Sequence, residues 1–293
     1  MNLSQSGILA PLTEQARYLV FSIRSSEGLS DSLRALAQMD GLQQTVVGLG
    51  LSLIKAVDKE IPGLRSFPVL TGSGIDIPST PAALWCWLRG TDRGDLYHRS
   101  RKIEALLYPA FSLDNVIDSF QYKTGNDMTG YEDGTENPQG EDAINAALVQ
   151  GQGEGLDGSS FVAVQQWLHD FDVFDLMTVE QQDNSVGRQI SDNEEIDDAP
   201  VSAHVKRTAQ EDFDPEAFLL RRSMPWSDAM SAGLNFVAFG KTLDAFEAQL
   251  NRMIGQDDGV VDALFDFTQP LSGSYFWCPP VKDGHLDLSI LDL

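Results

Sequence analysis

Apolar residues in the first half of the chain follow the periodicities of strands and helices in a fixed order. Short apolar or alternating runs predict strands at 18–23, 45–51, 83–88 and 116–122, and helical spacing predicts helices at 30–39 and 95–108. The resulting order, strand–helix–strand–strand–helix–strand, is that of a ferredoxin-like unit.

The second half repeats this plan less regularly. A strand is predicted at 161–167, helices at 173–186 and 243–254, and further strands at 218–223 and 234–240. The glycine-rich segment 151–158 separates the halves, which predicts an N-terminal unit 1–150 and a C-terminal unit 151–293. We therefore expect an α+β fold of duplicated ferredoxin-like units, in which antiparallel sheets pack together and helices lie outside them.

Composition and charge narrow the classes of partner. The 293 residues include 44 acidic and 20 basic side chains, and the formal net charge is −24. Because such a surface repels nucleic acids and anionic membranes, neither is an expected partner. The most acidic run, 191–198, is expected to be a solvated surface loop.

The two cysteines and the N-terminal segment indicate the cellular compartment of the protein. Cys86 and Cys278 lie among large apolar residues, which predicts buried thiols rather than a disulfide framework or a metal site. Residues 1–16 have no basic start and Pro11 interrupts their apolar patch, so neither a secretory nor a twin-arginine signal is expected. No stretch approaches the roughly 18 apolar residues of a spanning helix. These features predict a cytoplasmic, soluble protein.

The segment 130–138, Gly-Tyr-Glu-Asp-Gly-Thr-Glu-Asn-Pro, carries the strongest chemical signal. Its two glycines permit backbone angles that other residues avoid, and Asn137-Pro138 prevents a helix from continuing. Asp133 is thus held on a loop with too few apolar residues to be a core element. Such a carboxylate can take a proton from one atom and return it to a neighbouring atom. An ordinary Asp-Gly turn would show the same local pattern.

Two motifs in the second half accompany this loop. Ser-Ala-His-Val-Lys-Arg at 202–207 contains His204, and Arg-Arg-Ser-Met-Pro-Trp at 221–226 contains Arg221. On these three motifs, the sequence resembles the dye-decolorising peroxidases, a family of haem peroxidases, and is most similar to their shorter bacterial members of B type. The resemblance extends from about residue 15 to about residue 280 and includes motif spacing and element order.

The resemblance implies a role for each motif. The family's Gly-x-x-Asp-Gly loop matches the segment around Asp133, its iron-ligating histidine matches His204, and its distal arginine matches Arg221. A ligating imidazole donates its second ring nitrogen to a carboxylate, which supports a high-valent iron. That carboxylate is expected shortly before the last strand, where Asp266 matches best and Asp262, one helical turn earlier, is the alternative.

On the peroxide side, the resemblance assigns proton transfer to Asp133 and charge stabilisation during O–O cleavage to Arg221. An acidic pH optimum would require Asp133 to keep a low pKa beside the Arg221 cation. Ser223 stands where several B-type relatives have asparagine, and its shorter side chain leaves room for an ordered water. The three other histidines are interpreted as surface or core residues: His98, His169 and His285.

Haem b is the implied cofactor, and its two propionates need cationic or hydrogen-bonding partners. Arg188, in a Gly-Arg pair, and Arg207, one helical turn beyond His204, are the candidates, although either could be a surface cation. Asn137 in the acid loop could contact the haem edge through its main chain or its side chain.

These assignments predict a haem-dependent peroxidase that reduces hydrogen peroxide and oxidises organic donors such as dyes and phenolic compounds. The alternatives are a haem-handling or iron-releasing protein without peroxidase turnover, and a non-catalytic binding protein on the same fold. Mere binding would have no need for Asp133 and Arg221 together. Donors too large for the pocket would need aromatic residues at the surface to relay electrons, and the candidates are Tyr131, Trp226 and Trp277. A buried aromatic residue is more often part of the core.

The resemblance also implies a homo-oligomer of undetermined size. The C-terminal segment 285–293 alternates apolar and polar residues, a pattern that suits an edge strand added to a neighbouring subunit. Docking into a shell protein, as the tails of some relatives do, is the other role considered. The segment lacks the glycine and lysine that are expected of such docking peptides.

Overall fold

The computed structural model describes residues 3–293, in which short helices surround a large sheet. The strands β1 to β14 are, in order, Gln15–Ile23, Thr45–Leu49, Leu70–Gly72, Ile75–Ile77, Leu84–Gly90, Phe111–Phe120, Ser160–His169, Leu220–Arg221, Met224–Asp228, Ser231–Gly240, Thr268–Pro270, Ser274–Cys278, Val281–Lys282 and His285–Leu286. The helices α1 to α9 are, in order, Ser6–Leu9, Leu29–Ala37, Leu51–Ala56, Arg93–Leu107, Gly140–Ala147, Phe171–Phe174, Val179–Val186, His204–Arg207 and Asp244–Met253. Short 3₁₀ segments are formed by Leu42–Gln44, Gln210–Asp212, Ala263–Asp266 and Ser289–Leu291.

Eight of these strands form a closed antiparallel barrel. Around the ring the order is β7, β12, β2, β5, β1, β6, β9 and β10, and β10 then pairs with β7. The strands β8 and β11 extend the sheet beyond the ring by pairing with β10 and β7. The α+β class with antiparallel strands is confirmed. Each predicted half contributes four strands to the same ring, so the sheets of the two halves are joined at their edges. The division into two units near residue 150 stays a prediction.

Alternation along the strands sends one set of side chains into the barrel and the other set outwards. The lumen is filled by buried residues that include five aromatic side chains: Tyr18, Trp85, Trp87, Phe239 and Phe276. The outward set packs against the helices, as Leu33 of α2, Leu96 of α4 and Phe246 of α9 show. The barrel wall therefore separates an aromatic interior from an outer layer, and it is in this outer layer that a cavity is left open.

Two predicted elements are interrupted in the structure. The helix expected at 173–186 is divided into α6 and α7, because Thr178 and Gln181 form a capping box that starts a new helix. The strand expected at 218–223 ends at Arg221. In a continuous ladder the Val237 N–H would donate to a backbone carbonyl, but here it donates to the Ser223 hydroxyl at 3.2 Å.

Several simpler expectations are confirmed. Cys86 and Cys278 are free and buried, and burial raises the pKa of both thiols. The acidic run 191–198 is a surface loop. Across the described part of the chain, every helix is too short or too polar to cross a bilayer.

The C-terminal segment folds back onto the chain's own core. Leu286, Leu288 and Leu291 are buried within the main hydrophobic cluster, and β14 pairs only with β13 among the described residues. Asp292 forms an ion pair with Lys59. The apolar residues that suggested an edge strand or a docking peptide are thus engaged within the same molecule.

Removing one of these tail contacts should destabilise the fold. We expect Leu291→Ala to lower the free energy of unfolding by about 2 kcal/mol or more, because a buried leucine leaves a cavity when it is truncated. Leu176→Ala is the control, since Leu176 is 86% exposed against 2% for Leu291. Urea titration of both variants measures the difference. Equal stabilities would mean that the tail is not packed as described.

Candidate functional site

The site is a cavity on the outer side of the barrel, here called the inner cavity. Its back wall consists of outward-facing residues of β7 and β10, and α9 covers it. The apolar lining residues are Trp167, Leu234, Phe236, Phe246, Leu250, Met253 and Leu264. The polar ones are Asp133, Gln165, His169, His204, Thr208, Arg221, Gln249 and Thr268. Although polar and apolar residues are about equal in number, most of the surface that faces this cavity is apolar, as in many cofactor sites.

A second cavity, here called the outer cavity, adjoins the first. Asp133 and Arg221 line both cavities, whereas Asn137 and Ser223 line only the outer one. The acid and the guanidinium therefore stand at the boundary between the two spaces.

His204 begins α8 and projects its ring towards the inner cavity. Its Nδ1 lies 2.7 Å from Oδ2 of Asp262, whose side chain is fully buried. Because an ionised carboxylate only accepts hydrogen bonds, Nδ1 carries the proton and Nε2 has a free lone pair. Within residues 3–293, no group hydrogen-bonds to Nε2. This is the tautomer that a metal-ligating histidine needs.

The backbone around His204 depends on close packing. Gly187, which ends α7, has φ +92°, and an added Cβ would lie 2.3 Å from Cγ2 of Val205. The Ala263 N–H donates to the Ser202 carbonyl at 2.8 Å, which joins the segment before α8 to the segment that carries Asp262. Asp262 also accepts from the Leu264 N–H at 2.9 Å and caps the 3₁₀ turn.

The prediction that Asp266 is the carboxylate partner of His204 was wrong. The alternative residue, Asp262, is the one in contact with the imidazole. Asp266 is exposed at the end of the 3₁₀ segment. The expectation treated the two residues as one α-helical turn apart. In a 3₁₀ segment with three residues per turn, positions four apart do not share a face.

Asp133 is placed by a tight hairpin whose backbone turns at two glycines. Gly130 and Gly134 have φ of +99° and +79°, and a Cβ at Gly134 would lie 2.6 Å from Nδ2 of Asn137. The Asp133 N–H donates to the Gly125 carbonyl at 3.1 Å. Its Oδ1 then lies 3.9 Å from Nε of Arg221, close enough for an ion pair.

Asn137 fixes Arg221 from the other side. Its Oδ1 accepts from the Arg221 N–H at 2.8 Å, and its Nδ2 donates to the Arg221 carbonyl at 3.0 Å. The amide thus pairs with β8 as a neighbouring strand would. Asn137 thus positions the backbone of Arg221.

The pKa of Asp133 is raised, and burial is the main cause. The Arg221 cation lowers it, while the nearby carboxylate of Asp127 raises it further. Desolvation thus outweighs the Arg221 cation, so the condition that an acidic pH optimum would require, a low pKa of Asp133, is not met. Asp133 becomes a proton acceptor only at a higher pH than an ordinary aspartate.

Neither propionate candidate lines the inner cavity. Arg207 is buried, and its guanidinium binds both carboxylate oxygens of Asp258 at 2.8 Å. It is thus occupied by a structural ion pair. Arg188 binds Glu136 at 2.6 Å and Glu195 at 3.3 Å, and both carboxylates are substantially exposed. Arg188 could exchange such partners for another anion, whereas Arg207 could not without a loss of packing.

Several other expectations concern burial. Ser223 is buried and its hydroxyl is engaged with β10. The candidate surface relays Tyr131, Trp226 and Trp277 are all buried, so none presents its ring to solvent. His98 and His285 are exposed, as expected for surface residues.

Residues of β7 that line the inner cavity were not singled out from the sequence as site residues. Gln165 and Trp167 have side-chain N–H groups, at Nε2 and Nε1, that are buried without a partner in residues 3–293. His169 lies at the end of the strand and is buried between Asp127 and Thr268. The alternation of β7 gives Gln165, Trp167 and His169 a common face, which is the only signal in the sequence.

The residues present fit a haem. The wall is mostly apolar, one imidazole offers a free ring nitrogen, and unpartnered N–H donors remain on the wall. An α+β barrel with such a cavity, an imidazole on one side and an acid–guanidinium pair at its boundary, is characteristic of a haem-dependent peroxidase.

Comparisons with known proteins agree with this class. The profile of the family described as "Dyp-type peroxidase, C-terminal" matches residues 124–283. A dye-decolorizing peroxidase of Rhodococcus erythropolis is 32% identical over 296 residues, which cover 93% of this chain and 85% of that protein. A dye-decolorizing peroxidase of Mycobacterium tuberculosis is 28% identical over an alignment that covers 95% of this chain and 89% of that protein. The chain belongs to the dye-decolorising peroxidase family.

Solved structures show the same fold. A dye-decolorizing protein from V. cholerae has a TM-score of 0.87 at 26% identity, with 99% of both chains covered. A variant of DypB from Rhodococcus jostii in complex with haem has a TM-score of 0.88 at 26% identity, covering 95% of this chain and 97% of that one. The protein is accordingly a haem peroxidase, an oxidoreductase that acts on hydrogen peroxide.

The contact between His204 and Asp262 should set the reduction potential of the iron. With His204 as the iron ligand, Asp262→Asn is expected to raise it by tens of millivolts, because the imidazole would lose its negative partner. About 59 mV in a one-electron couple corresponds to a tenfold change in equilibrium constant. Asp266→Asn is the matched control and should keep the wild-type potential. Spectroelectrochemical titration compares the two. A shift in the control alone would contradict the assignment.

Proposed function

We propose that His204, Asp133 and Arg221 carry the peroxidase reaction. The observation behind this proposal is the position of Asp133 and Arg221 at the boundary of the two cavities, while the free Nε2 of His204 faces the inner one. A small molecule that enters the outer cavity meets the acid and the guanidinium before it reaches the space that holds the cofactor.

His204 would hold the haem iron through Nε2, and Asp262 would orient the ring and increase its basicity. The bound haem supplies the redox centre that accepts two oxidising equivalents from peroxide. Gln165 and Trp167 offer N–H donors on the cavity wall, and Arg188 offers a cation that can change partners.

Asp133 would accept a proton from one oxygen of hydrogen peroxide and return it to the other oxygen, which then leaves as water. Arg221 would stabilise the negative charge that develops on the departing oxygen. Asn137 keeps the arginine in register through two backbone contacts. Ser223, whose hydroxyl is already bonded to β10, has a lesser role in the outer cavity.

This acid–guanidinium pair favours peroxidase turnover over haem handling, because storage or release of haem does not need a proton acceptor opposite the ligand. Dyes and phenolic compounds are the proposed organic donors. The formal net charge of −24 favours the approach of neutral or cationic donors over anionic ones.

A cytoplasmic location and a homo-oligomeric state are also proposed. The free, buried cysteines support a reducing compartment. For the tail, docking into a shell protein has little support, since Leu286, Leu288 and Leu291 are engaged with the chain's own core.

Loss of the ligand should be visible without any turnover assay. We expect His204→Ala to lose most bound haem or to change the ferric spectrum. Among the histidines of residues 3–293, only His204 and His169 line the inner cavity, and both ring nitrogens of His169 are engaged in hydrogen bonds. His285→Ala, at an exposed position, is the control. Haem stoichiometry and the Soret spectrum are the measurements, and full retention with an unchanged spectrum in His204→Ala would exclude it as the ligand.

The acid and the guanidinium should differ in pH dependence. Arg221→Leu is expected to slow the first peroxide-dependent spectral change by roughly 100-fold at every pH, the size found for removal of an oxyanion donor. In the wild type the rate should rise with pH as Asp133 ionises, at a pH above the usual range of an aspartate because its pKa is raised.

Asp133→Asn should abolish that rise, whereas Glu132→Gln, a change at the neighbouring loop residue, should preserve it. Stopped-flow mixing with hydrogen peroxide between about pH 4 and pH 8 covers the titration. A wild-type rate in Arg221→Leu would refute the electrostatic role, and an unchanged pH profile in Asp133→Asn would refute the proton-transfer role.

A further inference from the structure

One end of the barrel lumen contains a third cavity, here called the barrel mouth. Its floor consists of four side chains from β1, β5, β10 and β12 that are at most 1% exposed: Tyr18, Trp85, Asn235 and Phe276. Exposed residues that line the same cavity form its rim, and they include Ser52, Thr80 and Asp114. The cavity therefore leads from solvent to a buried floor inside the barrel.

The barrel mouth lies on the opposite face of the wall from the inner cavity. Successive residues of a strand face opposite sides of a sheet. Leu234 and Phe236 of β10 line the inner cavity, whereas Asn235 between them lines the barrel mouth. In β7, Trp167 faces the inner cavity and Gln166 the barrel mouth. The two spaces are thus separated by the thickness of one sheet.

Polar groups on the floor lack partners. Within residues 3–293, no hydrogen bond is made by the Tyr18 hydroxyl, by Nε1 of Trp85, or by the oxygen and nitrogen of the Asn235 side chain. Burial raises the pKa of the Tyr18 hydroxyl and the nearby Asn235 amide lowers it, yet the two side chains do not meet with hydrogen-bond geometry. Buried polar groups without partners are costly, so several of them in one cavity indicate a molecule that binds there.

Other hydroxyls of the same cavity are already engaged. The Ser22 hydroxyl donates to Oδ1 of Asp114 at 3.0 Å, and the Ser274 hydroxyl donates to the Thr80 carbonyl. The unpartnered groups are therefore concentrated on the floor, where the polar group of a bound molecule would have to lie.

The floor determines which polar group would fit. Nε1 of Trp85 can only donate a hydrogen bond, whereas the Asn235 amide can both donate and accept. A hydroxyl group complements both, because it donates one hydrogen bond and accepts two. The rest of the floor is aromatic: the rings of Tyr18 and Trp85 stack with centroids 6.1 Å apart, and those of Trp85 and Phe276 with centroids 5.9 Å apart. A planar ring that carries a hydroxyl group suits these surroundings.

The charge of the lining disfavours anions. Of the residues in 3–293 that line the barrel mouth, Asp114 is the only charged one. A carboxylate would meet a like charge at the rim and would have no cation to pair with on the floor. Arg89 is engaged elsewhere, since its guanidinium lies 4.8 Å from the ring centroid of Trp87 and donates to the Pro11 carbonyl. The ligand that fits is therefore neutral.

We propose that the barrel mouth binds a small neutral phenol, whose hydroxyl pairs with the Asn235 amide, Nε1 of Trp85 and the Tyr18 hydroxyl. Its ring lies against the aromatic side chains of the floor. This site is separate from the cavity boundary at which Asp133 and Arg221 stand, and the proposal does not depend on the roles proposed for those two residues. It places a molecule of the proposed donor class on the opposite face of β10 from the cofactor cavity.

Calorimetric titration of the haem-loaded protein with p-cresol, without peroxide, tests the proposal. At pH 6, where a phenol is protonated, we expect saturable binding of one molecule. Toluene has the same ring and methyl group without the hydroxyl, and it should bind at least about tenfold more weakly because the floor groups stay unpaired. Benzoate and glucose should not bind. Equal affinity for toluene, preference for glucose, or no binding of p-cresol, as expected of a cavity that holds only water, would overturn the proposal.

Substitutions on the floor separate a binding role from a structural one. Asn235→Leu should weaken p-cresol binding about tenfold or more and should raise the urea midpoint of the ligand-free protein, because an apolar side chain replaces an unpaired amide of similar size. Tyr18→Phe removes only a hydroxyl and should also weaken binding. Asn145→Leu, the same change at an exposed residue of α5, is the control and should keep the wild-type affinity. Wild-type affinity in both floor variants would contradict the assignment.

A crystal of the haem-loaded protein soaked with p-bromophenol locates the ligand through the anomalous signal of bromine. We expect a peak beside Tyr18, Trp85 and Asn235 that is absent from Asn235→Leu crystals soaked in the same way. A peak in the outer cavity alone would assign phenol binding to that space instead, and a peak in the barrel mouth without saturable binding in solution would mean binding at crystal concentration only. Either result would overturn the proposal. Failure of the catalytic roles would show in the peroxide kinetics and would leave p-cresol binding unchanged.

Discussion

The backbone pairing of β7 with β10 is the constraint from which the site follows. It closes the barrel, and the outward residues of these two strands form the back wall of the inner cavity: Gln165, Trp167, Leu234 and Phe236. The strands approach closely near Gly233, where a Cβ would lie 2.0 Å from the Trp167 carbonyl oxygen. A register shift of one residue would exchange the wall with the lumen, so the cavity exists in one register only.

Both sequence halves are needed to build the site. The acid loop belongs to the first half, while the imidazole and the guanidinium belong to the second, and Asn137 connects the halves through the backbone of Arg221. Three carboxylates, of which one is fully and two are partly buried, are distinguished by their surroundings. Asp262 contacts the ring of His204, and Asp127 contacts the ring of His169. Asp133 faces the Arg221 guanidinium, whose charge does not offset the desolvation that raises the pKa of this carboxyl. The same functional group thus serves three purposes.

Local patterns predicted six of the eight barrel strands and the longer helices, because periodicity is a property of neighbouring positions. The three motif residues were singled out by the family resemblance. Long-range pairings lay beyond such patterns. The Asp127–His169 contact spans 42 positions and the Arg207–Asp258 contact spans 51, so neither spacing has a signature. Asp262 and Asp266 were confused for a different reason, since their segment has the typical sequence of a helical turn but forms a 3₁₀ turn.

The burial of Cys86 and Cys278 affects how the protein withstands its own oxidising substrate. The thiolate is the form that peroxide attacks, and a raised pKa together with full burial keeps both sulfurs protonated and out of reach. Met230, by contrast, is 99% exposed in the turn between β9 and β10. Its conversion to the sulfoxide would add polarity where water is already present and would remove no core contact. Met230 is thus an accessible site of oxidation, and its conversion to the sulfoxide leaves the packing of the core intact.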